Sequence, residues 1–282
     1  MLQLTDEKIK WMEGKANEIR RSVIEMLVEA GSGHSAGALG MADIFTALYF
    51  FILKHDPTNP FWEERDRLIL SNGHICPVYY ATLAHSGYFP IAELKTLRKF
   101  GSHLQGHPHR EYLPFLETSS GPLGLGLSQT VGMCLADRMD YGKYSPKQFY
   151  CLLSDAELQE GNVWEAAMLA SKERLQNLTA IIDRNNIQIE GYTEDVMPLE
   201  PLEAKWRAFG WHTQIIDGHD FKRIVGAVGE AQAVADKPSV IIANTIPGKG
   251  VSFMERRYEW HGKAPNKEEG EKALEELRKN HA

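Results

Sequence analysis

Short apolar runs, separated in the second half of the chain by amphipathic stretches, constrain this sequence more than its composition does. Leu68–Leu70, Phe149–Leu153, Leu178–Ile182, His212–Ile216 and Ser239–Ala243 read as strands. Val163–Arg174, Leu199–Phe209 and Phe221–Ala235 read as helices between the later ones. A strand that gives way to a helix and returns as a strand pairs parallel to its predecessor through a right-handed crossover. The expected fold is therefore α/β: a doubly wound, mostly parallel sheet flanked by helices. In such sheets ligands sit at the carboxyl ends of the strands, so chemistry is to be sought just after each apolar run.

The rest of the chain frames that sheet. Thr5 is placed to cap a helix whose first turn carries Asp6 and Glu7, where the helix dipole favours negative charge. Ile9, Met12, Ala16, Ile19, Val23 and Met26 fall three and four apart on one face, and Gly31-Ser32-Gly33 ends the run. A second helix is expected from about Asp43 to Lys54, stopped by Asp56-Pro57. The tail from Asn266 to Lys279 alternates Glu and Lys and reads as a solvated terminal helix. With no repeat, low-complexity segment or linker, residues 1–282 are expected to form one domain, with a helical N-terminal segment and a charged tail.

Charge and cysteine content exclude some functions. A net charge of -7 and a pI near 5.9 argue against nucleic acid as the main partner. The most apolar stretch, Ile44–Leu53, falls well short of the ~20 residues of a membrane helix, so no membrane partner is expected. The N-terminus lacks a signal-peptide layout. Cys76, Cys134 and Cys151 are widely spaced, which fits buried thiols in a reducing, cytoplasmic setting.

Two polar positions follow strands. Asp155 comes after Phe149–Leu153, and Asn185 follows it by 30 positions, after Leu178–Ile182. A carboxylate and an amide at adjacent strand ends, with a backbone carbonyl, offer a few hard oxygens of the kind Mg²⁺ takes. The plain alternative is that Asp155 caps the next helix and Asn185 fills a turn.

The strings around these residues resemble the transketolase family. Thiamine-diphosphate enzymes carry Gly-Asp-Gly followed some thirty residues later by Asn. The continuation Glu157-Leu-Gln-Glu-Gly-x-x-Trp-Glu-Ala is similar to transketolases in particular. Four further strings agree: Ser32-Gly33-His34 through Gly40-Met41-Ala42-Asp43; Leu70-Ser71-Asn72-Gly73-His74; Gly121-Pro122-Leu123-Gly124; and Gly248 through Glu255 to Trp260-His261-Gly262. The likeness runs from about residue 15 to 265.

The resemblance implies thiamine diphosphate and Mg²⁺ (or Ca²⁺), the ion held by Asp155, Asn185 and the Ile187 carbonyl. His74, the backbone of Ala156 and His261 would contact the diphosphate region. Gly121, Pro122 and Leu123 would lie against the cofactor, and His34, His107 and His261 would face substrate oxygens. The cofactor carries the carbon–carbon chemistry while the protein positions it and moves protons. The implied reaction, of the pentose phosphate pathway type, moves a two-carbon ketol unit between sugar phosphates. Full-length transketolases also carry a pyrimidine-binding domain, so the resemblance implies a separate chain supplying it, two copies plus two.

The sequence departs from the family where Gly-Asp-Gly becomes Ser154-Asp155-Ala156. Positive φ at either flank would strain Ser or Ala. That departure supports the rival reading of a non-catalytic or regulatory transketolase-like chain. Another is a relative acting on an unusual sugar. His103, His107 and His109 could form a metal site, but Gly106 and Pro108 break any helix that would align them. Gly121, Gly124 and Gly126 do not follow the dinucleotide spacing. His219, in Asp217-Gly218-His219-Asp220, is left outside the site, with Asp220 expected to cap the helix from Phe221.

Overall fold

Helix α1 (Asp6–Ala30) forms where its local signals place it. Thr5 Oγ1 accepts the Lys8 N–H at 3.2 Å, and Gly31, at φ 64°, closes the helix by donating to Leu27. Met12, Ala16, Ile19, Val23 and Met26 are buried along the expected face. The computed structural model describes residues 4–143 and 145–279.

Two short helices follow, α2 (Ala36–Gly40) and α3 (Ala42–Ala47), the second widening into a π turn at Leu48–Ile52. The helix expected from Asp43 to Lys54 thus ends two residues early, because the Lys54 N–H leaves it to meet the Asp66 carboxylate at 2.9 Å. Next come β1 (Arg67–Leu70), α4 (Cys76–His85), α5 (Leu125–Tyr141), β2 (Phe149–Ser154), α6 (Gly161–Lys172) and β3 (Leu178–Arg184). A small hairpin, β4 (Ile187–Gln188) and β5 (Gly191–Tyr192), leads to α7 (Thr193–Val196), α8 (Leu202–Ala208), β6 (His212–Asp217), α9 (Phe221–Ala233), β7 (Ser239–Asn244) and α10 (Lys267–Lys279).

The expected strands are all present within a residue or two, whereas α4 and α5 were not foreseen. Helix α4 is buried from Cys76 to Ala84, so it shows no amphipathic period. Helix α5 exposes Leu125 and Met139, which blurs its period. Helix α8 begins at Leu202, three residues later than expected, because the Leu199 N–H is taken by the Glu194 carboxylate at 3.1 Å.

The five-stranded sheet has the order β1-β2-β3-β7-β6, parallel throughout. Its strands alternate between two cores. Tyr150 and Leu152 face α1, α3, α4 and α9, while Cys151 and Leu153 face α5, α6 and Trp206 of α8. All three cysteines are buried thiols. The register pairs Ser154 with Asp183, and Arg184 and Asp217 with Asn244, so four strands end nearly level. No described helix is long and apolar enough to cross a membrane.

The tail corrects the expectation of a solvated helix. Helix α10 is polar on one face only; Gly270, Ala273 and Leu277 are buried, and the Asn17 amide of α1 donates to the Leu277 carbonyl at 3.0 Å. A Cβ on Gly270 would lie 2.4 Å from Val28 Cγ2, so the two helices meet at close range. Leu277→Ala should therefore destabilise the fold by about 2–4 kcal/mol in denaturant unfolding, as for a buried leucine. A loss below about 0.5 kcal/mol, the range of surface substitutions, would mean that α10 does not stay docked in solution.

Candidate functional site

Where β2 and β3 end side by side, the chain buries the carboxylate of Asp155 completely. Its Oδ1 accepts the Ala156 N–H at 2.7 Å; Oδ2 accepts the Asn186 N–H at 2.6 Å and Arg184 Nη1 at 3.0 Å. Asn186, at φ 64°, turns the 184–187 loop back over the carboxylate. Burial pushes the Asp155 pKa up to about 6, with Arg184 and the two backbone donors pulling against it. Asn185, also buried, accepts the Ile187 N–H at 3.0 Å and donates to Asp183 Oδ2 at 2.7 Å. The plain readings of both residues, cap and turn, are thus realised in their hydrogen bonds. Asp155 lies at φ −65°, and neither Ser154 nor Ala156 has positive φ, so the departure from Gly-Asp-Gly carries no backbone strain.

Glu157 is a second buried carboxylate here, quoted in the sequence string but not assigned a task. It accepts the Ser71 hydroxyl after β1, the Gly124 N–H at 2.6 Å and the Ser154 N–H at 3.1 Å. Burial lifts its pKa to about 7, against these three donors. One side chain thereby ties the end of β2 to the end of β1 and to the 121–124 loop. Gly73 presses on that loop as well: a Cβ there would sit 2.5 Å from Ser120 Cβ and 3.1 Å from the Gly121 nitrogen. At Gly121 a Cβ would meet nothing within 4 Å, and Pro122 and Leu123 are exposed, so this loop lines open space.

Three of the four expected histidines form a cluster. Ring centroids of His34 and His74 are 5.0 Å apart, those of His74 and His261 5.1 Å, and those of His34 and His261 5.7 Å. His34 follows Gly33, which at φ 130° has no room for a Cβ beside Leu27. Burial is the main cause that lowers His34 and His261 to about 4 and His74 well below its ordinary value. His107 lies more open on its loop and is lowered by partial desolvation and by Arg98. The cluster is therefore neutral at neutral pH. The Nδ1 atoms of His34 and His261 are buried without a hydrogen-bond partner.

The hairpin joins the two halves. A Cβ on Gly262 would lie 3.5 Å from Ile189 Cδ1 and 3.7 Å from His34 Nε2. Asp155 and Asn185 thus stand at the carboxyl ends of β2 and β3, Glu157 ties the 121–124 loop to them, and Ile189 and Gly262 bring the hairpin next to the histidine cluster. A separate cavity of about 420 Å³, lined by Phe51, Asp66, Gln148 and Gln232, lies at the opposite, amino ends.

The donor set fits the implied diphosphate and divalent cation. A carboxylate has about four lone-pair directions and Asp155 spends three on protein donors, leaving one for an ion. One expected contact is altered: the Ala156 N–H is already given to Asp155. Among the described residues no group of three or more His, Cys, Asp or Glu could hold a metal, so His103, His107 and His109 form no such site. Arg184 escaped the sequence reading, although its place between Asp183 and Asn185 was a signal. It answers Asp155 on one side and Glu194 and Glu200 on the other.

Comparison with known proteins agrees with this geometry. Residues 12–280 match the family described as transketolase, thiamine diphosphate binding domain. The chain is 46% identical to the 6-deoxy-6-sulfo-D-fructose transketolase subunit of Clostridium sp. (strain MSTE9), over 96% of this chain and 98% of that one. It is 38% identical to an apulose-4-phosphate transketolase subunit of Phocaeicola vulgatus, over 96% and 95%. The crystal structure of a transketolase from Campylobacter jejuni superposes with a TM-score of 0.88 at 35% identity, over 95% of this chain but 42% of that one.

The depressed histidines make stability depend on pH. A histidine held neutral in the fold but free to protonate when unfolded contributes stability above its unfolded pKa of ~6.5. That contribution is lost as pH falls towards the folded value, about 4 for His34 and His261. Unfolding free energy should therefore drop between those pH values, and less steeply in a His34→Ala, His261→Ala variant. Equal slopes for the two proteins would show that the rings are not desolvated.

Proposed function

This chain belongs to the transketolase thiamine diphosphate-binding family, and we propose that it is the diphosphate-binding subunit of a two-chain transketolase. The observation that carries the proposal is the Asp155–Ile187 loop at the strand ends together with the His34–His74–His261 cluster that meets its hairpin at Gly262. Asp155, Asn185 and the Ile187 carbonyl hold Mg²⁺ or Ca²⁺, and His74 and His261 lie against the diphosphate region. Gly121, Pro122 and Leu123 lie along the cofactor. When bound, thiamine diphosphate supplies the carbon centre that accepts and releases a two-carbon ketol unit. His34, His107 and His261 meet the oxygens of the sugar, each through a ring nitrogen. A neutral imidazole can donate or accept a proton at such an atom, which suits it to the proton movements of the transfer.

The substrates are a ketose phosphate donor and an aldose phosphate acceptor, or a ketose of the unusual kinds named for the two relatives. A partner chain completes the site, two copies with two. This reading is supported by the names of those relatives, both of them subunits, and by the chain spanning 42% of the Campylobacter jejuni transketolase. Exposed apolar side chains on α5 and α6, among them Leu125, Met139, Met168 and Leu169, lend it further support as candidates for an interaction surface.

Two measurements test the proposal. Asp155→Ala should weaken Mg²⁺–thiamine diphosphate binding by about tenfold or more, in line with loss of a metal-site ligand, and should also lower the melting temperature, because it leaves the buried Arg184 without this partner. Cofactor affinity unchanged by that substitution would remove the metal assignment. The purified chain should be close to inactive in two-carbon transfer between sugar phosphates and gain activity with a pyrimidine-domain partner. Assembly should tighten when cofactor and Mg²⁺ are added, because both bind the complex. Full turnover by the single chain would overturn the two-chain reading.

A further inference from the structure

We infer that His219 is a positioning residue that sets the register of the 245–262 segment, and with it His261, against the helix that follows His34. The inference rests on the transketolase reading for what the placement serves, and on hydrogen bonds alone for the placement itself.

His219 bridges two groups that no sequence pattern connects. Its Nδ1 lies 2.6 Å from Asp43 Oδ2, and its Nε2 accepts the Ile246 N–H at 2.8 Å. A backbone N–H can only donate, so Nε2 carries no proton and the ring is the neutral tautomer with its hydrogen on Nδ1, donated to Asp43. Asp43 is buried and also receives Arg20, whose Nε donates to the Leu39 carbonyl of α2 at 3.0 Å. Arg20 on α1, Asp43 on α3 and His219 before α9 thus form a relay that ends on one backbone amide.

That amide opens the segment carrying His261. Ile246 is the second residue after β7, and the segment is fastened along α2 from there. The Gly248 N–H donates to the Ala36 carbonyl at 2.9 Å, and a Cβ on Gly40 would be 3.0 Å from the Ile246 oxygen. At the far end Ser35 Oγ donates to the carbonyls of Trp260 at 3.1 Å and Lys263 at 2.8 Å. The five-residue α2 has no side-chain cap of its own. The relay therefore fixes where the segment begins relative to α2, and Ser35 fixes where it ends. Between those points hangs the 5.7 Å spacing of His34 and His261, and misplacement by about 1 Å in a reacting assembly costs roughly a hundredfold in rate.

The neighbours of His219 have other tasks, which sets its side chain apart. Asp220 caps α9 by accepting the Lys222 and Arg223 N–H groups, and Asp217 accepts the His219 N–H. Gly218 is required because a Cβ would sit 2.7 Å from Thr245 Cγ2. The imidazole serves none of these local turns; it reaches across to another segment.

Two substitutions separate positioning from mere stability. His219→Gln puts an amide oxygen where Nε2 lies, keeping the acceptor for Ile246 and losing the donor to Asp43. His219→Asn keeps a donor near Nδ1 and loses the acceptor. Both should lower the melting temperature. In His219→Asn the Ile246 amide should exchange with solvent about tenfold faster or more, as expected when a protecting bond opens locally. The kcat of the assembled enzyme should fall by about tenfold or more with KM changed less than about threefold, the pattern of lost transition-state placement. In His219→Gln, which keeps the acceptor for Ile246 but breaks the tie to Asp43, both changes should be at least about threefold smaller than in His219→Asn. Unchanged Ile246 exchange in His219→Asn would overturn the placement, whether or not the assembled protein transfers two-carbon units. Parent-like kcat despite fast exchange, or equal kcat loss in both variants, would overturn its role in the reaction. Absence of transfer by the parent assembly would count against the proposed function instead.

Discussion

A carboxylate buried where two parallel strands end is the constraint around which the rest of the site is arranged. Asp155 has no contact with water, and an ion so placed is tolerated only when its oxygens are met by donors. The strand ends supply two N–H groups, from Ala156 and Asn186. The third donor, Arg184, is itself a buried cation and in turn requires Glu194, Glu200 and the Thr193 hydroxyl. The hairpin and α7 are thereby drawn to the end of the sheet. The αL conformation of Asn186 follows from the same demand, since the loop must double back to bring its N–H to Asp155.

Glu157 repeats this logic one turn later, and its donors come from three separate segments. Together the two acids tie a level row of strand ends to the loops around them. Both are lifted towards neutrality by burial. At the histidine cluster the opposite choice has been made. The histidines are buried among themselves with few compensating charges and are held neutral.

The acids and the histidines differ in how they are held. Asp155 and Glu157 follow directly on β2. The histidines come from loops and short helices, with His34 after α1, His74 in a 3₁₀ turn after β1 and His261 near the end of a long segment after β7. Their mutual spacing depends on cross-links between those segments, among them Ser35 and the Arg20–Asp43–His219 relay.

Local chemistry settled much of this protein in advance. Periodicity, caps and breakers placed α1 and every strand of the main sheet, because those signals act between residues close in the chain. Asp155 and Asn185 stood out because each follows an apolar run that reads as a strand, whereas His34, His74 and His261 were singled out only by the family resemblance of the strings that carry them. Other features were beyond local reading. Helix α4 has no polar face to betray it, and one face of α10 is buried only because α1 offers Val28 and Asn17. Arg184, Glu157 and His219 took on their tasks through partners 29, 33 and 176 positions away, respectively Asp155, Gly124 and Asp43. The sequence determined which elements form and what chemistry stands at their ends. Only the tertiary structure decided which buried charges meet, because a donor for a buried oxygen is chosen by proximity in space and not by distance along the chain.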